Sequence, residues 1–397
     1  MARPANILLI CGTLNQTRAM MAIGSELADH NCYYTPFYCD GHLLRASQRG
    51  QLDFTVLAGP LRERTVAFMR DAKLPVDDRG EGREYDLVVT CTDLILQDNI
   101  ESERIVLVQE GLTEREGVMF WLVKHLGIPR VFANTAAFGL SDGYEVFCVA
   151  SPGARDLFHA KGVRSEKMVV TGIPGFDNVG AHVNNDFRHR DFVLICTSNA
   201  RETFKYHDRM RFLRDAVAIA AARPVIFKLH PAEQHDRAIR EIRSIAADAL
   251  ILADGNTEHM IANCAALVAP YSTVAFTGAL LGKEVYSYIE PWFLRQALPV
   301  QNGGTSATKI AEVCRACFAS HPIDIPRVRA RLEAGIVQPR PSGELHVMPQ
   351  AGETSLVYPI VHGLRQAARR RTSTASVESR TSTALDQLSP RPGKPTE

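Results

Sequence analysis

The stretch VIFKLHPAEQ, residues 225–234, ends an apolar run on Lys228, His230 and Pro231. A surface turn has no use for a cation and an imidazole there. A ligand crevice at the carboxyl end of a parallel strand often uses both. Lysine is a point cation suited to phosphate, and histidine donates a hydrogen bond to a phosphate oxygen or handles a proton. Pro231 stops the strand because it has no N–H to give. Taken alone, the pair also reads as a snorkelling lysine and a turn histidine. One βαβ unit later, ALVAPYSTVAFTGALLGKEVYSY (266–288) is a buried strand, a turn at Pro270 to Thr273, a short helix stopped by Gly282, and another strand. Ser272 or Thr273 then stands at a helix N-terminus, where backbone N–H groups and the dipole favour an anion such as a diphosphate.

A proton acceptor is expected in the first half. VLVQEGLTEREG ends a strand with Gln109, Glu110 and Gly111 in a turn, which directs side chains into a crevice. Glu110 can serve as base for an acceptor hydroxyl, with Glu114 and Glu116 as reserves. It also reads as a helix-start glutamate that stabilises the dipole. Gly12 and Thr13, directly after the first strand, form a loop that faces phosphate or acceptor. The thirteen histidines include no HxxxH pair, so no protein-bound metal is expected.

The elements that must position these residues alternate. Strand-like runs NILLIC, DFTVLA, DLVVTC, RIVLVQ, RVFAN, EVFCVAS and MVVTG fill the first half, and DFVLIC, PVIFKL, LILAD, ALVAPY and EVYSY the second. Between them TRAMMAIGSELADH, HDRMRFLRDAVAIAAA, HDRAIREIRSIAAD and TSATKIAEVCRACFAS carry apolar residues at helical spacing. The alternation predicts two doubly wound α/β domains with parallel sheets. An N-terminal, acceptor-side domain is expected over 1–175, a linker over 176–190, a nucleotide-donor domain over 191–345, a loop and helix over 346–371, and a tail over 372–397. The tail, TSTASVESRTSTALDQLSPRPGKPTE, has too little apolar surface to offset its ordering entropy and reads as disordered.

Composition narrows the partner. The 397 residues carry 45 Lys and Arg against 44 Asp and Glu, so no overall field recruits nucleic acid or membrane. Hydrophobic content of 46% and charged content of 22% suit a soluble globular protein and point to a small-molecule partner. Nine cysteines lie scattered in apolar segments instead of forming a disulfide framework, which fits a reducing cytoplasm. Cys314 and Cys317 form a CxxC inside an amphipathic helix with no second Cys/His pair nearby, and read as structural thiols. The apolar run Ile7 to Cys11 is too short for a signal peptide, and no run has the length of a membrane span. Peripheral docking on a membrane remains open.

KLHP followed by YSTVAFTGALLGKEVYSY, with VTGIPGFD upstream, resembles the C-terminal half of GT-B nucleotide-dependent transferases, notably the CDP-glycerol glycerophosphotransferases and the CMP-sugar-using capsule transferases. The resemblance implies that Lys228, His230, Ser272 and Thr273 hold the donor's phosphates. A second resemblance covers more of the chain. ILLICGTLNQTRAMMAIGSEL, DLVVTCTD, VLVQEGLT, KMVVTGIPGFD and ICTSNARET follow in the order of the non-hydrolysing UDP-N-acetylglucosamine 2-epimerases. On that resemblance Asp93 falls on an active-site aspartate and Arg201 and Glu202 are retained. Gln109, however, replaces a glutamate and Asn199 a histidine. An amide cannot replace a carboxylate as base, so these departures count against epimerisation. Thr277 and Pro270 stand where the glycerophosphotransferases carry aspartates, which leaves the nucleotide base open.

The expectation is therefore a GT-B glycosyltransferase-like enzyme that moves a sugar or polyol-phosphate unit from a pyrimidine nucleotide donor, of CDP/CMP or UDP type, to a glycan or other hydroxyl acceptor in surface-glycan assembly. Glu110, Asp93 and His230 are its expected catalytic residues. Lys228, His230, Ser272, Thr273, Arg201, Gly12 and Thr13 are its expected donor contacts, with no tightly bound cofactor. The alternatives are a 2-epimerase-like sugar-nucleotide enzyme and a catalytically silent nucleotide-binding scaffold.

Overall fold

A computed structural model of the chain describes residues 3–100, 104–203 and 207–348. Six strands, β1 (Asn6–Cys11), β2 (Asn31–Pro36), β3 (Leu87–Thr90), β4 (Ile105–Val108), β5 (Val146–Val149) and β6 (Met168–Val170), form one sheet in the order β2-β1-β3-β4-β5-β6. Six more, β7 (Val193–Cys196), β8 (Val225–Lys228), β9 (Leu250–Leu252), β10 (Ala266–Ala269), β11 (Glu284–Ser287) and β12 (Leu345–Val347), form a second in the order β12-β11-β10-β7-β8-β9. Every pairing is parallel. The central strands are buried along their whole length. That is why they read as unbroken apolar runs: helices cover both faces of such sheets. The two doubly wound α/β domains expected from the sequence are present.

Each sheet reverses its winding once. In the first, the chain turns from β1 out to β2 and then back to β3 on the other side of β1. In the second it winds β7, β8, β9 and then returns to β10 on the far side of β7. At such points neighbouring connections leave in opposite directions and open a crevice at the carboxyl ends of the strands. The crevices therefore lie at Gly12 and Cys91 in one sheet and at Thr197 and Pro270 in the other.

Three runs behave differently from expectation. DFTVLA is a series of turns before the helix Gly59–Asp71, and the place beside β1 is taken by Asn31–Pro36. RVFAN becomes a 3₁₀ segment, Arg130–Ala137, entered from Pro129. Proline's fixed φ and missing N–H favour such a turn over an interior strand. Finally, the helix Ser306–Ala319, expected with the second domain, and the helix Ile325–Leu332, which falls within the same expected bounds, lie elsewhere. Ile310, Cys314, Cys317, Val328 and Leu332 instead pack with Val106, Val146 and Val169 in the core of the first sheet. The chain returns to the second sheet at β12. Cys314 and Cys317 are buried free thiols in that core.

GIPGFD anchors this return. Asp177 is buried; its Oδ2 accepts the Ser306 N–H at 2.7 Å and its carbonyl accepts the Gly303 N–H at 2.9 Å. The last residues expected as helix, 355–371, and the tail lie outside the described residues. Among the described residues no helix is long and apolar enough to cross a membrane.

Candidate functional site

The strand pairing places Lys228 beside Cys196, the last residue of β7, so His230 follows at the crevice end of the second sheet. The His230 main-chain N–H is held by Glu233 Oε1 at 2.8 Å and Thr197 Oγ1 at 3.0 Å. Its Nδ1 accepts the Ala232 N–H at 3.1 Å. A ring nitrogen that accepts carries no proton, so in the neutral ring the hydrogen sits on Nε2, which has no partner among the described residues. Burial, with Lys228 adding to it, lowers the His230 pKa to about 4. The ring is accordingly a neutral N–H donor at physiological pH.

Lys228 is placed differently from expectation. Its Nζ donates to the carbonyls of Leu229 at 3.0 Å and Ala253 at 2.7 Å, and burial lowers its pKa. It ties the end of β8 to the segment after β9, and one of its three N–H bonds is left. Ser272 and Thr273 precede the helix Val274–Leu280, and the Thr273 side chain makes no cap hydrogen bond. Arg201 is held in a two-pronged pair by Glu241, at 2.9 and 2.8 Å, so its guanidinium is spent on protein structure.

On the first sheet, Thr13 caps the helix Leu14–Glu26 and Gln16 returns the bond to the Thr13 N–H, a capping box. Gln16 also donates from Nε2 to Glu110 Oε2 at 3.0 Å, which brings the ends of β1 and β4 together. Gly12 makes this possible, since a Cβ there would stand 1.9 Å from Gln16 Oε1. Burial pushes the Glu110 carboxyl above the usual carboxylate range, opposed by its hydrogen bonds from Gln16 and Thr13. Such a shift makes a carboxylate a better base near neutral pH.

Asp93 does not join this group. It is buried, with Oδ1 taking the Gly139 N–H and Oδ2 the Ser141 N–H, both at 2.9 Å, so it braces the 139–141 loop. Gln109 is equally committed: its amide donates to the Gly111 carbonyl at 2.9 Å and accepts from Ala150 N at 2.8 Å.

The two crevices meet. A Cβ on Gly111 would lie 2.7 Å from Thr273 Cγ2, the Tyr271 hydroxyl donates to the Thr113 carbonyl at 2.8 Å, and Arg115 donates to the Tyr288 carbonyl at 2.7 Å. Arg64 donates across to the Pro231 carbonyl at 3.1 Å. The loop that carries Glu110 is thus seated against the turn that carries Ser272 and Thr273.

Four residues here escaped the sequence reading. Glu233 and Arg209 have side chains 2% and 3% exposed and stand 3.2 Å apart, and Glu233 also takes the Thr197 hydroxyl. Thr197 and Ser198 follow β7 at the reversal of the second sheet, and the Ser198 hydroxyl is enclosed without a hydrogen-bond partner among the described residues. The spacing His-x-x-Glu after a strand was the available signal for Glu233. Arg209 carried none, because nothing local marks a buried guanidinium. At the opposite, amino end of the second sheet, Glu284, Glu344 and His346 bring ligand-type atoms within 4.8 Å of one another. Glu284 is already held there by Tyr286 and Arg223.

Two doubly wound parallel sheets whose carboxyl ends meet across a cleft define the GT-B architecture. In keeping with this, the fold is similar to that of a putative UDP-N-acetylglucosamine 2-epimerase from Listeria monocytogenes, at a TM-score of 0.51 and 11% identity over 80% of this chain and 97% of that one. Two further solved structures match at lower TM-scores. The UDP-GlcNAc 2-epimerase from Neisseria meningitidis bound to UDP-GlcNAc gives 0.47 with 10% identity over 78% of this chain and 99% of that one. The wall teichoic acid polymerase TagF gives 0.45 with 9% identity over 80% and 90%. No family model and no curated protein matches the sequence.

Proposed function

We propose that the chain is a GT-B sugar-nucleotide enzyme that transfers a sugar or polyol-phosphate unit from a pyrimidine nucleotide to a hydroxyl acceptor. The observation that carries this reading is the unpartnered His230 Nε2–H at the second sheet's crevice, near the end of β7, where the buried Ser198 hydroxyl also lacks a hydrogen-bond partner among the described residues. Donors fixed in a low-dielectric crevice suit a diphosphate, and they stabilise charge as it builds on the leaving phosphate. Opposite them, Glu110 is a carboxylate of raised pKa on a loop seated against Thr273. In the proposed reaction the nucleotide diphosphate lies against His230, Ser198, Ser272 and Thr273. The acceptor hydroxyl approaches from Glu110, which removes its proton as the oxygen attacks. The anomeric or phosphoryl bond to the nucleotide breaks, and the pyrimidine nucleotide leaves.

The 2-epimerase alternative asks for a carboxylate at position 109. The Gln109 amide is a weaker fit to that chemistry, since both its ends are taken by backbone. Lys228 enters as support for the β8 turn, with one N–H bond left over.

The test is calorimetry on folded protein with UDP, CDP and CMP and the matching nucleosides, repeated with His230→Ala. One of the nucleotides should bind, and the substitution should weaken it by about 1.5–3 kcal/mol, the worth of a hydrogen bond to a charged group. Nucleoside binding should suffer far less. Equal losses for nucleotide and nucleoside would remove His230 from the phosphate. Binding of none of the nucleotides by the unmodified chain would overturn the pyrimidine-nucleotide reading, and binding without turnover would favour the silent scaffold.

A further inference from the structure

Residues 117–141, directly after the loop that carries Glu110, contain no acidic residue. The helix Val118–Leu126 within this segment, VMFWLVKHL, is apolar all round apart from Lys124 and His125. Its inner residues Phe120 and Val123 meet Ala133, Ala136 and Ala137 of the 3₁₀ segment in a small core of their own. The outer surface of this unit is left to solvent: Leu126 is 69% exposed, Phe132 59%, Val118 54% and Met119 40%. Four large apolar side chains bared within fifteen residues exceed the scattered exposure that soluble surfaces show, and such concentrations mark interaction sites.

The charges beside them indicate the partner. Lys124 and Arg130 donate to backbone carbonyls, of Lys161 at 2.6 Å and of Asp93 at 3.1 Å. Neither has a carboxylate partner among the described residues, although Lys124 Nζ also lies over the Phe120 and Trp121 rings, 5.8 and 5.6 Å from their centres. The Trp121 ring stacks on His125 at 5.6 Å, two rings with apolar bodies and polar edges. Exposed aliphatic and aromatic side chains flanked by cations without a carboxylate partner match the surface of an anionic bilayer, where apolar side chains enter the acyl boundary and cations meet lipid phosphates.

We propose that the unit formed by Val118–Leu126 and Arg130–Ala137 is a peripheral membrane-docking surface for anionic lipid. The proposal is independent of the donor chemistry at His230. It goes beyond the proposed function by setting the mouth of the first domain's crevice at a bilayer.

Sedimentation of the full chain with vesicles of phosphatidylcholine, with and without phosphatidylglycerol, tests it. The chain should sediment with the phosphatidylglycerol vesicles and bind those of phosphatidylcholine alone more weakly. Leu126→Glu and Phe132→Glu should each lower binding about tenfold or more, because each puts a carboxylate where an apolar group enters the bilayer. Both should keep the thermal unfolding of the parent, since the positions are exposed. Lys124→Gln should weaken binding to the anionic vesicles, and added salt should do the same by screening. No sedimentation of the unmodified chain, or undiminished sedimentation of the two glutamate variants, overturns the proposal. So does a dimer in light scattering that Leu126→Glu converts to monomer, which would make the face a contact between copies of the chain.

Discussion

Glu233 Oε1 accepts the main-chain N–H of His230 at 2.8 Å, so a buried carboxylate grips from behind the turn that presents the imidazole. Arg209, equally buried, balances that carboxylate at 3.2 Å. The imidazole itself makes one bond, from Ala232 N, and keeps Nε2 open. Geometry at the crevice thus depends on an ion pair that never reaches it.

Glu233→Ala should destabilise the fold by about 3–5 kcal/mol, because it leaves Arg209 buried without its counter-charge. Urea unfolding measures this. Removing both partners, Glu233→Ala with Arg209→Leu, should cost less than Glu233→Ala alone, and an equal or larger cost would refute the buried-pair account.

Acid should weaken the protein below pH 6.5, as two half-buried histidines are called on to take up protons. His230 and His207 both have pKa values lowered to about 4 from an ordinary 6.5, chiefly by burial. A depressed folded-state value means that the unfolded chain takes up the proton first. The contribution of each ring is full above pH 6.5 and is lost as pH falls towards 4. Each ring adds at most one proton to the slope, about 1.4 kcal/mol per pH unit. Thermal unfolding between pH 7 and pH 4 should show the decline, and His207→Gln with His230→Gln should flatten it.

The same neutrality predicts how His230 binds. A neutral Nε2–H donor gives an affinity for a nucleotide diphosphate diester, whose own charge is constant, that is level from pH 8 to about pH 5.5. An imidazolium contact would instead tighten as pH falls.

Glu110→Gln separates chemistry from folding. Turnover should fall about 100-fold or more, as for loss of a general base. The parent's folded state holds the carboxyl at a raised pKa and so opposes its charge; replacing that charge with an amide should leave stability at neutral pH unchanged or higher. Loss of stability together with turnover would make Glu110 a structural group.

Gly111→Ala tests the seam between the two crevices. The added Cβ would meet Thr273 Cγ2 at 2.7 Å, closer than side-chain atoms approach, so either the loop lifts from the second domain or the Thr273 side chain turns away. Acceptor KM should rise and kcat fall, and binding of the donor nucleotide alone should weaken less than with His230→Ala, since Thr273 is displaced while His230 is not. Unaltered kinetics would show that the loop does not need this contact.

The sequence by itself determined the two parallel sheets and the strand ends that form the crevices. Both faces of each central strand are covered, so burial is written into the chain as unbroken apolar runs, and Pro231 and Gly282 stop elements by backbone chemistry that needs no partner. His230, Glu110 and the turn at Ser272 and Thr273 were legible for the same reason: each follows directly on such a run. What the tertiary structure decided is where side chains spend their bonds. Asp93, Arg201 and one of the three Lys228 N–H bonds are absorbed by partners far off in the chain, and no local pattern records that. Arg209 and Glu233 are a pair only because two segments pack together, and Ser198 stands at the reversal of the sheet only because β10 returns beside β7. The strand Asn31–Pro36, with its asparagine and tyrosines, forms because β1 offers it a free edge, while DFTVLA, more apolar, finds none. Likewise the helix 306–319 shows the right periodicity but not its destination. An amphipathic stripe specifies that a face is buried; which sheet buries it is settled by where the chain, held at Asp177 and Ser306, is able to return.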